Sequence, residues 1–340
     1  MMYSNIQKNT FYNLPLRGAI VGFGGVAEYA HVPLFQKDSR FSIVAVVEPD
    51  PSRIEAAKRV LKDVKVYTNI YSLFEKEDLD FIDICSPPAY HAEAIIEACK
   101  NKVNVICEKP LVTSLEELKK VMDVYRKSNV VLFCVNNWKY APIWAKTIEL
   151  INRGYIGKVQ EISLSVLRTP KSGGGVTNWR KVKDIAGGGI LMDHGWHHIY
   201  FINSIVKDEP ILINAKMEYA KPCKVEEEVK LNISYKTVQV NLFFTWRATI
   251  RKNYGHIIGD KGKILIEDDH IILNNGSTLR YNFDSPLSKG SHHREWMIPV
   301  IDNFFEELTG RNKGYNLKEA IQCLYIISLA YKSYKDSPSI

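Results

Sequence analysis

The sequence predicts an α/β protein of two domains, a doubly wound parallel sheet followed by an α/β domain built on antiparallel strands. Short β-branched runs alternate with helical patterns from Arg17 to about Val135, which marks repeated βαβ units around a parallel sheet. Beyond Val135 the runs lengthen and apolar residues alternate with polar ones, as in antiparallel strands with one solvated face. A chain of 340 residues is also too long for one ordinary core. The domains are expected at 1–136 and 137–340, with the C-terminal helix free to pack back on the first.

The strand candidates of the first domain are AIVGF at 19–23, IVAVVE at 43–48, FIDICS at 81–86, NVICE at 104–108 and VVLFCVN at 130–136. They are apolar throughout because helices cover both faces of such a sheet. Helical spacing fills PAYHAEAIIEACKN and SLEELKKVMDVYRKS between them. One further helix, PIWAKTIELINRG, leads to the strand candidates VQEISLSVL, ILINAKMEYA, EEVKLNISYK and VQVNLFFTWR. Two glycine runs, SGGGV at 172–176 and AGGGI at 186–190, bracket a basic loop and a helix, and helical patterns close the chain from about Trp296 to Thr309 and from Leu317 to Tyr334.

Composition excludes several classes of function. Apolar content of 46% and charged content of 24% fit a globular protein. No run approaches the roughly 18 apolar residues of a membrane span, and the first residues lack a secretory pattern, so a cytoplasmic protein without a membrane partner is expected. The net charge of +7 is dispersed, which argues against nucleic acid and leaves room for an anionic small substrate. Cys85, Cys99, Cys107, Cys134, Cys223 and Cys323 include no CxxC pair, so neither disulfides nor structural zinc is expected.

Gly22, Gly24 and Ala27 form GxGxxA directly after the first strand, the setting a dinucleotide site requires. Gly22 permits the tight turn, Gly24 lets a pyrophosphate approach the backbone, and Ala27 lets helix and strand pack closely. Gly25 and Val26 belong to the same cofactor-binding turn. Glu48 ends the second strand about twenty residues on, where a carboxylate accepts bonds from a ribose diol and repels a 2′-phosphate. NAD is therefore favoured over NADP, although Arg53 is close enough to reach such a phosphate or to flank the adenine. His31 either faces the crevice or packs the first helix.

CEKP at 107–110 follows an apolar strand at its carboxyl end, where open α/β sheets place ligand contacts. An ammonium at Lys109 can stabilise a developing alkoxide or polarise a carbonyl. In GGGILMDHGWHH at 187–198, Asp193 and His197 stand four apart, on one face if the segment is helical. A carboxylate that orients an imidazole makes a general base for neutral pH. His194 and His198 form a second pair, but without a third ligand no metal is expected. SPPAYH at 86–91 lets Ser86 cap a helix and brings Ser86, Pro87 and His91 to the edge that carries the glycine turn.

In this order and spacing the four stretches resemble the Gfo/Idh/MocA family of NAD(P)-dependent sugar and cyclitol dehydrogenases. The likeness runs from Arg17 to Ile340. It implies an N-terminal Rossmann domain and a C-terminal α/β domain whose large, mostly antiparallel sheet often forms a homodimer or homotetramer interface. By this resemblance His197 takes the hydroxyl proton as C4 of NAD accepts hydride, Lys109 stabilises the oxyanion and Asp193 orients the histidine or the sugar. Glu108 and Lys109 join the cofactor site. Ser86, Pro87 and His91 correspond to a TPxxxH-like segment with serine for threonine, and KYAP puts Lys139 where an arginine is frequent.

The loop RTPKSGGGVTNWRKVKD offers Trp179 as a flat surface for a sugar ring. Arg168, Lys171, Arg180 and Lys181 can meet a phosphate, uronate or nucleotide-sugar group, with Trp246, Arg247 and Arg251 on the same face. The expected reaction is oxidation of a secondary hydroxyl, or reduction of the ketone, of a sugar, sugar derivative or cyclitol. The alternatives are a glycoside hydrolase with transient NAD redox and a non-catalytic NAD-binding protein. Intact Lys109, Asp193 and His197 argue against the last.

Overall fold

A computed structural model of the chain describes residues 13–173, 178–219, 224–290 and 293–336. Cys223, Gly174, Gly175 and Val176, all named above, lie outside the described residues. The chain divides into two compact units. The described residues of Met1–Leu111, Glu116–Asn137 and His292–Lys318 form one, and those of Val112–Leu115, Trp138–Ser291 and Glu319–Ile340 form the other.

The first unit holds a six-stranded sheet of β1 (Leu16–Val21), β2 (Phe41–Val47), β3 (Lys65–Tyr67), β4 (Phe81–Ile84), β5 (Asn104–Cys107) and β6 (Leu132–Cys134). Their order is β3-β2-β1-β4-β5-β6 and every pairing is parallel. The strand order reverses between β1 and β4, so the carboxyl ends of these two strands flank the switch point where such sheets bind ligands. β4, β5 and β6 are buried along their whole length, which is why they read as unbroken apolar runs. β3 was not among the sequence candidates: it is three residues long, lies at the sheet edge and is at least partly exposed throughout, so nothing obliges it to be apolar.

Capping residues set the helices between these strands. Asp50 accepts from the backbone N–H groups of Ser52 and Arg53 at 2.8 and 3.1 Å to start Pro51–Val60, and Asn69 caps Ile70–Lys76 at 2.9 Å. The helix Ile298–Leu308 packs on this sheet, with the Phe304 ring 5.9 Å from Phe81 and 5.8 Å from Phe133. Asn316 closes the edge at β6, accepting from Cys134 N at 2.6 Å and donating to its carbonyl at 2.9 Å.

The second unit holds an eight-stranded sheet of β7 (Val159–Leu167), β8 (Leu212–Tyr219), β9 (Glu226–Ser234), β10 (Gln239–Thr245), β11 (Lys252–Gly259), β12 (Gly262–Ile266), β13 (His270–Asn274) and β14 (Thr278–Asn282). Their order is β14-β13-β12-β11-β7-β10-β9-β8. The pairing is antiparallel except between β7 and β10, which run parallel. Burial alternates along β7 and β10, and the buried face carries the helices. His198 of the helix Trp196–Ile205 meets Phe244 of β10 at 5.5 Å, and Trp144 of the helix Pro142–Asn152 meets Phe201 at 4.4 Å. The meander β11–β14 escaped the sequence reading because its strands are short, half polar and broken by Gly, Asp and Asn turns. Among the described residues no helix is long and apolar enough to cross a membrane, and Cys85, Cys99, Cys107, Cys134 and Cys323 are buried thiols.

Candidate active site

The glycine turn leaves β1 with Gly22 at φ 88°, a conformation that costs an L side chain free energy. A Cβ there would lie 2.6 Å from Ser86 Cα, so the turn needs glycine for the close approach as well. At Gly24 an added Cβ would meet no atom within 4 Å. Ala27 is fully buried, while Gly25 and Val26 stay partly exposed. The turn opens not into a regular α-helix but into a π-helical turn, Ala27–His31, before the short α-helix Val32–Phe35. Val32 N–H bonds the Ala27 carbonyl five residues back, and Pro33 has no N–H to continue an α ladder.

Glu48 and Arg53 hold the peptide of Phe23 from both sides. Glu48 Oε2 accepts from Phe23 N at 2.7 Å and its Oε1 from Asp50 N at 2.9 Å. Arg53 Nε donates to the Phe23 carbonyl at 2.7 Å and its Nη2 to Glu28 at 2.9 Å. A carboxylate has about four lone-pair directions, so Glu48 retains acceptor capacity for a ribose hydroxyl. Arg53, by contrast, is engaged with Phe23 and Glu28 rather than standing loose beside the turn.

Ser86 does not cap a helix: the 3-10 turn Pro88–Tyr90 and the helix His91–Lys100 have no side-chain cap. Its hydroxyl is buried and finds no partner among the described residues. Both ring nitrogens of buried His91 face carbonyls, Pro110 and Ser86, each at 2.9 Å, and burial pushes its pKa down. The expected contact of His91 with the nicotinamide half thus gives way to a brace between the ends of β4 and β5. The orphaned Ser86 hydroxyl and the open space over Gly24 fit an NAD molecule lying across the β1–β4 switch point, with Glu48 toward its ribose.

At the end of β5, Glu108 Oε1 bonds His31 Nε2 at 3.0 Å and its Oε2 accepts from Lys109 N at 3.1 Å. Burial works to raise the Glu108 carboxyl, but His31 and the charge of Lys109 outweigh it and hold the pKa below the usual value. His31 is fully buried and its Nδ1 lies 2.9 Å from Asp83 Oδ2. It therefore neither faces a crevice nor serves as inert packing.

In the second unit Asp193 lies on a π-helical turn, Leu191–Gly195, that runs into Trp196–Ile205, which carries His197. The segment is helical, with a π-helical turn before the α-helix. Buried Glu226 anchors the start, its Oε1 accepting from Gly189 N at 2.9 Å, Leu191 N at 3.1 Å and Tyr331 Oη at 2.8 Å. The Asp193 carboxylate lies 3.8 Å from His194 Nε2. His197 stacks on Trp138 with centroids 4.8 Å apart and planes at 18°. His198 points into the core, bonds the His194 carbonyl at 3.0 Å, and is pushed down to about 4 by burial and then by the charge of Arg168.

The basic loop is less open than its sequence suggests. Arg168 is completely buried, its guanidinium donating to the Leu167 carbonyl at 2.8 Å, the Lys252 carbonyl at 3.3 Å and Asn253 at 3.1 Å. Burial, with Arg251 nearby, pushes its pKa down to about 10. Lys181 pairs with Glu227 at 3.0 Å, and Trp246 is buried and lines no surface. Trp179 carries Arg180 over its ring at 4.4 Å, and Lys171 is exposed. Sequence reasoning missed Trp138, Glu226 and Glu319. Lys139 donates to Tyr200 at 3.0 Å and lies 3.6 Å from Glu319, to which the Tyr200 hydroxyl also donates. These partners are distant in sequence, and no local signal marks them.

Residues 16–136 match the family described as an oxidoreductase family with an NAD-binding Rossmann fold, and residues 144–265 match the GFO/IDH/MocA C-terminal domain. The chain belongs to the Gfo/Idh/MocA family and is an NAD-dependent oxidoreductase. It is 23% identical over 318 residues to Oxidoreductase P35 of Formosa agariphila, covering 91% of this chain and 96% of that protein. It is 27% identical over 192 residues to D-glucoside 3-dehydrogenase of Escherichia coli, covering 56% and 54%. A solved levoglucosan dehydrogenase, in complex with NADH and levoglucosan, superposes with a TM-score of 0.80 at 21% identity over 94% of this chain and 97% of that one.

Proposed function

We propose that the protein transfers a hydride between NAD and a secondary hydroxyl or ketone of a sugar, sugar derivative or cyclitol. The observation that carries this reading is that both halves of the chain match one oxidoreductase family, and Lys109, Asp193 and His197 offer the ammonium, carboxylate and imidazole such a reaction uses. Relatives named for glucoside and levoglucosan oxidation point to carbohydrate. In this reading residues 1–136 bind the dinucleotide, and residues 137–340 bind the substrate and assemble a cytoplasmic homodimer or homotetramer.

Bound NAD supplies a hydride acceptor at the nicotinamide ring. The residues of the chain supply the rest. His197 Nε2 or Nδ1 takes the hydroxyl proton as negative charge builds on the oxygen, and Trp138 fixes the plane of its ring. The Lys109 ammonium stabilises that oxygen, and Asp193 orients the imidazole or the sugar. Gly22, Gly24, Gly25, Val26 and Ala27 form the pyrophosphate turn, Ser86 and Pro87 flank it, and Glu48 accepts from the ribose. With Arg53 bound to Phe23 and Glu28, the site favours NAD over NADP. Trp179, Arg180 and Lys171 present a ring surface and cations suited to an anionic sugar, whereas the Arg168 guanidinium is buried against Leu167, Lys252 and Asn253.

Replacing His197 by Ala tests the assignment. Turnover is expected to fall by about 10²–10⁴ with NAD affinity retained, and equal loss of both would make His197 structural.

A further inference from the structure

Two buried histidines hold the segment that carries Lys109. His31 lies on the turn after β1, with Nδ1 2.9 Å from Asp83 and Nε2 3.0 Å from Glu108. Each nitrogen faces a carboxylate, so the ring donates from both and is an imidazolium. Burial opposes that charge, yet the charge and hydrogen bond of Asp83 overcome it and raise the pKa well above the ordinary value. Glu108, so fixed, accepts from Lys109 N at 3.1 Å, and Glu108 N bonds the Ile84 carbonyl at 2.9 Å. On the other flank the buried His91 ring stands between the Pro110 and Ser86 carbonyls, 2.9 Å from each, and as a neutral imidazole donates to one of them. The thiols of Cys85, Cys107 and Cys134 around this cluster are pushed up by burial.

We propose that His31 and His91 are positioning residues for Lys109, the first acting through the Glu108 carboxylate and the second through the Pro110 carbonyl. Both ends of the Glu108–Pro110 segment are thereby anchored to the β4 side of the switch point, which fixes the backbone from which the Lys109 side chain extends toward its direction of action. The significance of that direction rests on Lys109 meeting the reacting oxygen. A misplacement of about 1 Å at such a group can cost about a hundredfold in rate. His31, Asp83 and Cys85 also lie close enough together to be weighed as metal ligands, but the 2.9 Å spacing of His31 and Asp83 is that of a hydrogen bond.

The test uses the full-length protein and the variants His31→Gln, Glu108→Gln and His91→Asn. Lys109 reactivity is measured without cofactor by brief labelling with acetic anhydride and mass spectrometry, with exposed Lys65 as internal standard. NAD affinity and turnover, on whichever sugar the unaltered protein oxidises, are measured alongside. The expected result is a changed labelling rate at Lys109 alone, kcat lowered by about a hundredfold, unchanged NAD affinity in His31→Gln, and partial recovery of the labelling rate and kcat when His31→Gln is combined with Glu108→Gln. Should His31→Gln not fold, Glu108→Gln, which keeps the side-chain shape, carries the same expectation. Unchanged Lys109 labelling in a folded variant would overturn the proposal, as would stoichiometric zinc in the purified protein. Altered labelling with no sugar oxidised by any form would uphold the positioning and defeat the assigned reaction instead.

Discussion

Gly22 and Gly24 stand two residues apart and answer different questions when changed to alanine. At Gly22 the new Cβ meets the Ser86 backbone at 2.6 Å in a left-handed conformation, so Gly22→Ala is expected to cost more than about 2 kcal/mol of unfolding free energy. At Gly24 the Cβ enters open space. Gly24→Ala should leave stability within about 0.5 kcal/mol while weakening NAD binding, as measured by calorimetry; normal affinity in that variant would remove Gly24 from the cofactor site. These glycines were legible in the sequence because turn chemistry is local. His31 was not, since its partners Asp83 and Glu108 lie 52 and 77 residues away and only the folded sheet brings them to the ring. Arg168 and Trp246 read as surface binders because charge and aromaticity do not reveal burial.

At the level of elements, the turn-and-helix segment bearing Asp193 and His197 depends on Glu226. Burial raises its carboxyl above the ordinary value of 4.5, so the folded state keeps a proton that the unfolded chain has lost, and stability falls as pH rises from 4.5 through the raised value. Glu226→Gln keeps an acceptor oxygen without that penalty. Its stability relative to the unaltered protein should grow over this range in urea titrations, whereas Glu226→Ala should unfold the segment. His198 works in the opposite sense. Its pKa falls from 6.5 to about 4, so stability is lost as pH drops from 6.5 toward 4, by at most about 3 kcal/mol, and His198→Phe should flatten that acid slope. The buried strands β1, β2, β4, β5 and β6 could be read from their apolar runs, and β7–β10 from their alternation. The edge strand β3 and the meander β11–β14 could not, since neither is compelled by burial to show a pattern, and the π-helical turns at Ala27–His31 and Leu191–Gly195 leave the helical periodicity nearly unchanged.

For the whole molecule, a parallel sheet with a glycine turn at its switch point and a large, mostly antiparallel sheet together define the family, and the family defines the cofactor. NAD at a hundredfold excess over its Kd should stabilise the protein by about 2.7 kcal/mol, seen as a rise in Tm, and under the proposed role of Glu48, whose carboxylate would repel a 2′-phosphate, NADP at the same concentration should raise it less. The central claim is tested most directly by incubating the protein with NAD and a broad panel of sugars, sugar phosphates, uronates and inositols while following NADH absorbance. NADH formation with at least one secondary alcohol of the panel is the predicted result. Bound NAD with no NADH from any member, or release of an aglycone from a glycoside with no net NADH, would contradict it.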